Sequence, residues 1–170
     1  MIPVERPKIE LPPLKPGQES VWDYPRPPRV EVSNRRIRVI FAGETIVDTH
    51  RALRVLETTH PPVYYIPPQD CRMEYFVMTK RRTICEFKGS ANYWTVRLNG
   101  QNGINAAWSY PHPTPGFEAI KDYLAFYVHK VDACYIDEEW VQGQEGDFYG
   151  GWITSEIVGP FKGGPGTWEW

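Results

Sequence analysis

Apolar and polar residues alternate along most of the middle of this chain, and period two is the mark of half-buried strands. Ile37-Arg38-Val39-Ile40-Phe41 places Ile37, Val39 and Phe41 on one face. Ala42-Gly43-Glu44 reads as a turn and 45–48 as a returning strand, so the pattern predicts a hairpin. Residues 52–57 fit a turn and a half of helix or a strand; as a strand, Leu53, Val55 and Glu57 share a face, with Arg54 opposite. Proline pairs on both sides confine the strand at 63–66 to about four residues. Residues 73–78 fit helix or strand, and Lys80-Arg81-Arg82 reads as a turn. Strands are expected at 83–88 and 93–98, around Gly89-Ser90-Ala91, and Asn99-Gly100 is a strong turn signal. The next strand, to Tyr110, would put Ile104, Ala106, Trp108 and Tyr110 on one face. Residues 117–121 allow a helical turn. Residues 123–131 are apolar at both parities, which predicts a central strand covered on both sides. Asp137-Glu138-Glu139 is expected to be a solvated turn.

The class that follows is mainly β, one compact sheet assembly or partly open barrel. Eight of the 17 prolines fall in residues 1–28, and Pro12-Pro13 and Pro27-Pro28 can continue neither a helix nor a central strand. The expected organisation is an extended Pro-rich arm (1–30), a β domain (31–140) and a Gly/Trp-rich irregular extension (141–170). Trp22 and Tyr24 are the places where the arm would dock.

Composition narrows the classes. The chain has 170 residues, 41% hydrophobic and 14% aromatic, with net charge −2; that is enough for one domain with a core and argues against disorder. No run of about 18 apolar residues could span a membrane, and Met1-Ile2-Pro3-Val4-Glu5 lacks the basic-then-apolar plan of a signal peptide. Cys71, Cys85 and Cys134 are an odd, widely spaced set, expected to be thiols in a reducing cytoplasm. Residues 1–90 carry fifteen Lys/Arg against eleven Asp/Glu, and residues 91–170 four against ten. The pI near 6.1 disfavours nucleic-acid binding, which wants a concentrated basic face.

Several strings fit a known pattern: Val55-Leu56-Glu57, Tyr64-Tyr65-Ile66-Pro67, the run from Thr83 to Trp94 containing Lys88-Gly89-Ser90-Ala91-Asn92-Tyr93-Trp94, Ala107-Trp108-Ser109-Tyr110, and Leu124-Ala125-Phe126-Tyr127. Over residues 36–138 the chain resembles the family called domain of unknown function 427. The resemblance implies a small, mostly β, cytoplasmic domain with no established activity. It also implies a tent-like sheet assembly, like that of zinc-bearing relatives and of an aromatic-cage ligand receptor. The zinc does not carry over, because two Cys-x-x-Cys pairs are missing. A remote grouping with nucleotidyltransferases would require a carboxylate pair for magnesium after Gly89-Ser90, and no Asp or Glu lies between Ala91 and Ala107. Neither a metal nor a cofactor is expected.

The candidate chemistry is an aromatic pocket. Tyr65, Tyr93, Trp94, Trp108 and Tyr110 come from separated strands and could line one hollow that stacks flat or cationic ligands. Lys88 beside Gly89 would hold an anionic group, or act as charge stabiliser or nucleophile; the plainer alternative is a salt bridge to Glu57 or Glu86. Glu57 is the natural acid partner and candidate general acid/base, and Arg54 could clamp a carboxylate or phosphate. Cys85 reads first as a structural thiol. The leading expectation is a domain that binds a small polar or anionic metabolite. The alternatives are an enzyme using Glu57 and Lys88, and a protein-interaction module. Homo-oligomer formation would run through the arm or the tail.

Overall fold

Where the Pro-rich arm is free of proline, it pairs. In the computed structural model, which describes residues 9–146 and 148–170, β1 (Glu19–Ser20) runs parallel to β15 (Ile157–Val158) of the tail. β2 (Arg29–Val32) lies antiparallel to β5 (Leu53–Leu56), which in turn pairs with β6 (Val63–Tyr65). The first eight residues of the arm, and with them the reading of the N-terminal leader, lie outside the described residues.

The predicted hairpin forms as β3 (Ile37–Phe41) and β4 (Glu44–Thr49). Ala42 and Gly43 take positive φ, 49° and 80°, the twist a two-residue hairpin loop requires. β11 (Ala133–Ile136) flanks β3 and β12 (Glu139–Trp140) flanks β11, giving the order β12-β11-β3-β4. The other four-stranded sheet, in the order β10-β9-β8-β7, contains β7 (Phe76–Cys85), β8 (Gly89–Leu98), β9 (Gln101–Ser109) and β10 (Ala125–Phe126). β13 (Gln142–Gly143) and β14 (Trp152–Ile153) make a short ladder in the tail. The fold is mainly β, built of several sheets that do not close into a barrel. Among the described residues the helical segments are single 3-10 turns, and no helix is long and apolar enough to cross a membrane.

Four local readings are corrected. Lys80-Arg81-Arg82 is not a turn but the bulged middle of β7, where the register with β8 shifts between Met78 and Arg82. The strand expected at 83–88 stops at Cys85; Glu86, Phe87 and Lys88 form the hairpin loop, closed by Gly89 at φ 107°, a conformation that favours glycine. Residues 123–131 are not a central strand. Only Ala125–Phe126 forms a strand, at the sheet edge, with Leu124 bridged to Ile66 beside it, and both parities are apolar because the segment lies between two cores. Finally, Ile104 does not share a face with Trp108: Asn105 has φ 52°, and Ile104 is exposed while Trp108 is buried.

The β7–β10 sheet divides the interior. Trp94 and Val96 of β8 pack in the larger core with Ile37, Val39, Ile46 and Phe126. Ala91 and Tyr93, of opposite parity, face a second core with Tyr65, Trp108, Tyr110 and Tyr127. A third, smaller core joins arm and tail through Val21, Tyr24, Leu56 and Ile157. The Trp22 indole N–H donates to the Pro160 carbonyl at 2.8 Å. Trp152 fastens the tail to the body, its backbone N–H bonding Pro62 O at 2.8 Å and its indole N–H bonding Phe126 O at 3.0 Å.

Candidate functional site

The second core is not filled. Between β5–β6, the β7–β9 sheet and the tail lies a cavity of about 280 Å³, at the small end of the size range for ligand pockets. Alternation along β5 sends Val55 inward, with Glu57 beyond the strand end on the same side. Tyr65 comes from the end of β6, Tyr93 from β8, Trp108 from the end of β9 with Tyr110 just beyond it, and Tyr127 follows β10. The tail closes the remaining side with Gln144, Phe148, Tyr149, Gly150 and Lys162.

The rings form a connected wall. Tyr65 meets Trp108 edge-on at 6.5 Å between centroids and Tyr110 at 6.2 Å. Trp108 lies 4.6 Å from Tyr127, separations at which aromatic pairs attract. The hydroxyl of Tyr93 is satisfied by Thr83 Oγ1 at 2.8 Å, and that of Tyr127 donates to Phe148 O at 3.1 Å. Gly150 lies flat on Trp108: a Cβ there would stand 2.0 Å from the indole Cη2. Burial raises the phenols of Tyr65 and Tyr110 above the ordinary tyrosine value, so both are neutral at physiological pH.

Lys88 is the exceptional polar residue of this wall. The hairpin loop that carries it is pinned from behind, since Thr114 N–H donates to Lys88 O at 3.1 Å and Thr114 Oγ1 bonds Phe87 O. Gly89 leaves no spare room, as a Cβ would meet His112 O at 3.2 Å. Lys88 is only 8% exposed, and it makes no ion pair with any described carboxylate, Glu57 and Glu86 included. Its near neighbours are the Tyr110 ring, 5.9 Å from Nζ, the Tyr65 phenol and the Cys85 thiol. Burial pulls the ammonium down; Tyr65, Cys85 and Glu57 more than offset this and leave it above the ordinary lysine value. The push from Tyr65 exists only when that phenol is ionised. Glu57 is the one carboxylate among the groups that raise the Lys88 value.

Glu57 is already engaged. Arg26 Nη2 and Nε reach the same carboxylate oxygen at 3.0 and 3.2 Å. His60 Nδ1 is 3.1 Å from Thr58 O and 3.9 Å from Glu57. Burial lowers the His60 pKa, with Glu57 acting in the opposite direction. Its ring packs edge-on against Tyr149 at 5.0 Å. Lys162 Nζ donates to Trp170 O at 3.2 Å and is held below the ordinary lysine value by burial and by Arg26.

Of the residues singled out in the sequence, Glu57, Tyr65, Lys88, Tyr93, Trp108 and Tyr110 line the cavity. Arg54 and Trp94 do not. Arg54 projects from the other face of β5, where it binds Glu19 (Nη1–Oε1 2.5 Å) and Glu31 (Nη2–Oε1 2.7 Å). Trp94 follows Tyr93 on a regular strand and so points to the opposite face; its indole N–H donates to Ser109 Oγ at 3.0 Å. Tyr127, Phe148, Tyr149, Gln144 and Lys162 were not singled out. Tyr127 was visible as a parity-mate of Ala125. The tail residues lie on irregular backbone and give no periodic signal. Among the described residues no group of three or more His, Cys, Asp or Glu is placed to hold a metal ion.

Comparison with known proteins adds the lineage. No curated protein matches the chain. The model of the family described as "Domain of unknown function (DUF427)" matches residues 29–137, which covers β2 to the end of β11 and every cavity residue except those of the tail. With more than half of its length matched, this chain belongs to the DUF427 family.

Proposed function

We propose that the protein binds a small anionic metabolite in the aromatic cavity, with Lys88 as the anchor for its negative group. One observation carries this reading: a buried ammonium, without a carboxylate partner among the described residues, stands in the wall of a hollow lined by rings. Removing an ammonium from water costs several kcal/mol even after relaxation, and such groups are ordinarily paired. A carboxylate or phosphate entering the cavity would supply the missing partner, while Tyr65, Trp108 and Tyr110 offer flat surfaces to the rest of the ligand. Arg54 has no part in this proposal, because Glu19 and Glu31 occupy its guanidinium. The catalytic alternative gains no support from the geometry: the Glu57 carboxylate is held by Arg26 and stands outside ion-pair distance of Lys88.

A thermal-shift screen of small carboxylates and phosphates tests the proposal. A ligand present at about 100 times its dissociation constant adds about 2.7 kcal/mol to stability. The expected result is a set of anionic hits lost in Lys88→Met and weakened in Trp108→Ala. Absence of anionic hits on native protein, or hits that survive both substitutions, refutes the reading.

A further inference from the structure

The three thiols do not share one environment. Cys71 and Cys134 are buried in the larger core, and burial pushes Cys71 up to about 12 and Cys134 higher still. Cys85 is half-buried, ends β7 opposite Gly89, and lines the cavity. It stands beside Lys88, at the turn that aims both side chains at the same hollow. The second, independent mark of a ligand is Lys88 itself, more than nine-tenths buried and without a carboxylate among the described residues.

We propose that Cys85 is a covalent capture site for small carboxylates bearing an electrophilic carbon, with the Lys88 ammonium holding the carboxylate while sulfur attacks. This rests on the reading that the cavity admits an anion at Lys88. With an α,β-unsaturated acid the step is an addition. A bond forms between Sγ and the β-carbon, the π pair of the C=C bond moves to the α-carbon, and that carbon takes up the proton lost from sulfur. Nothing is oxidised and no group leaves. With iodoacetate as probe, the S–C bond forms as the C–I bond breaks, iodide departs with its electron pair, and the thiol proton passes to solvent. The thiolate is the attacking species in either case.

The experiment compares iodoacetate with its neutral analogue iodoacetamide on the full chain near neutral pH, followed by intact mass and peptide mapping. The first adduct is expected on Cys85, with Cys71 and Cys134 unmodified while the protein stays folded. Lys88→Met should lower the iodoacetate-to-iodoacetamide rate ratio about tenfold, the effect of losing one nearby unit charge in a partly screened site. Lys88→Arg keeps the charge and should keep most of the ratio, and a melting curve on each variant confirms the fold. First labelling at Cys71 or Cys134, or a ratio indifferent to Lys88→Met, overturns the inference. Reversible binding is read separately, as the thermal shift of Cys85→Ser protein with non-electrophilic carboxylates. A shift there with an unreactive Cys85 in the native protein sinks the covalent step alone. No shift there, with a Lys88-dependent adduct in the native protein, upholds the thiol site and the entry of an anion at Lys88 and overturns only the reading that the cavity retains such a ligand reversibly.

Discussion

Replacing Lys88 by methionine separates a ligand anchor from a structural lysine, because the two roles give opposite signs. Methionine keeps the length of the side chain and removes the charge. The buried ammonium costs several kcal/mol in desolvation. The Tyr110 face, 5.9 Å from Nζ, returns about 0.5–2 kcal/mol. Glu57 adds a weaker attraction from outside ion-pair distance, already shared with Arg26, and the neighbouring Cys85 sulfur adds a weak contact. The remainder is a net cost, so Lys88→Met should stabilise the ligand-free protein by about 1–3 kcal/mol. At about 2–4 °C per kcal/mol for a chain of this size, the melting temperature should rise by roughly 2–12 °C. The measurement is a calorimetric melt near neutral pH in a buffer free of phosphate and carboxylates, so that no anion masks the cost. Repeating it with a hit from the screen should raise the native curve and leave the variant unmoved. A variant that melts several degrees below native protein in the anion-free buffer would show that the ammonium is satisfied within the fold, and the argument for an anionic guest would fall with it.

Three further outcomes are expected. Arg54→Met should cost about 1–3 kcal/mol, since it leaves the Glu19 and Glu31 carboxylates facing each other without their shared cation, yet leave ligand-induced shifts intact; chemical denaturation with and without ligand checks both parts. Gly150→Ala drives a methyl into the Trp108 indole and should lose about 1–3 kcal/mol by overpacking together with the ligand response, read by melting and by tryptophan fluorescence. His60 is buried with its pKa below the unfolded value of 6.5, so the stability tied to its neutral form is present above 6.5 and lost as pH falls through the lowered folded value; melts across that window should slope downward in native protein and flatten in His60→Gln.

Local pattern settled much of this molecule. The β3–β4 hairpin follows from alternation around the Ala42-Gly43-Glu44 turn, and the β class follows from period two. Glu57, Tyr65, Lys88, Tyr93, Trp108 and Tyr110 could be named as cavity candidates because polar-tipped rings and a lone cation in apolar surroundings have few ways to be satisfied inside a small core. Parity alone could have excluded Trp94 once Tyr93 was placed inward, since adjacent strand residues point to opposite faces. What alternation could not give was the bookkeeping of charge between distant segments. That Arg54 is taken by Glu19 and Glu31, that Arg26 takes Glu57, and that Lys88 is left beside Cys85 depends on which strand edges meet. The tail adds the same lesson. Phe148, Tyr149, Gly150 and Lys162 sit on backbone without a repeat, and they wall the cavity only because Trp152 is pinned to Pro62 and Phe126. Alternation along a strand is a short-range steric fact and can be read residue by residue. Which side chain stands opposite another across a hollow depends on long-range packing, and the folded chain alone decided it.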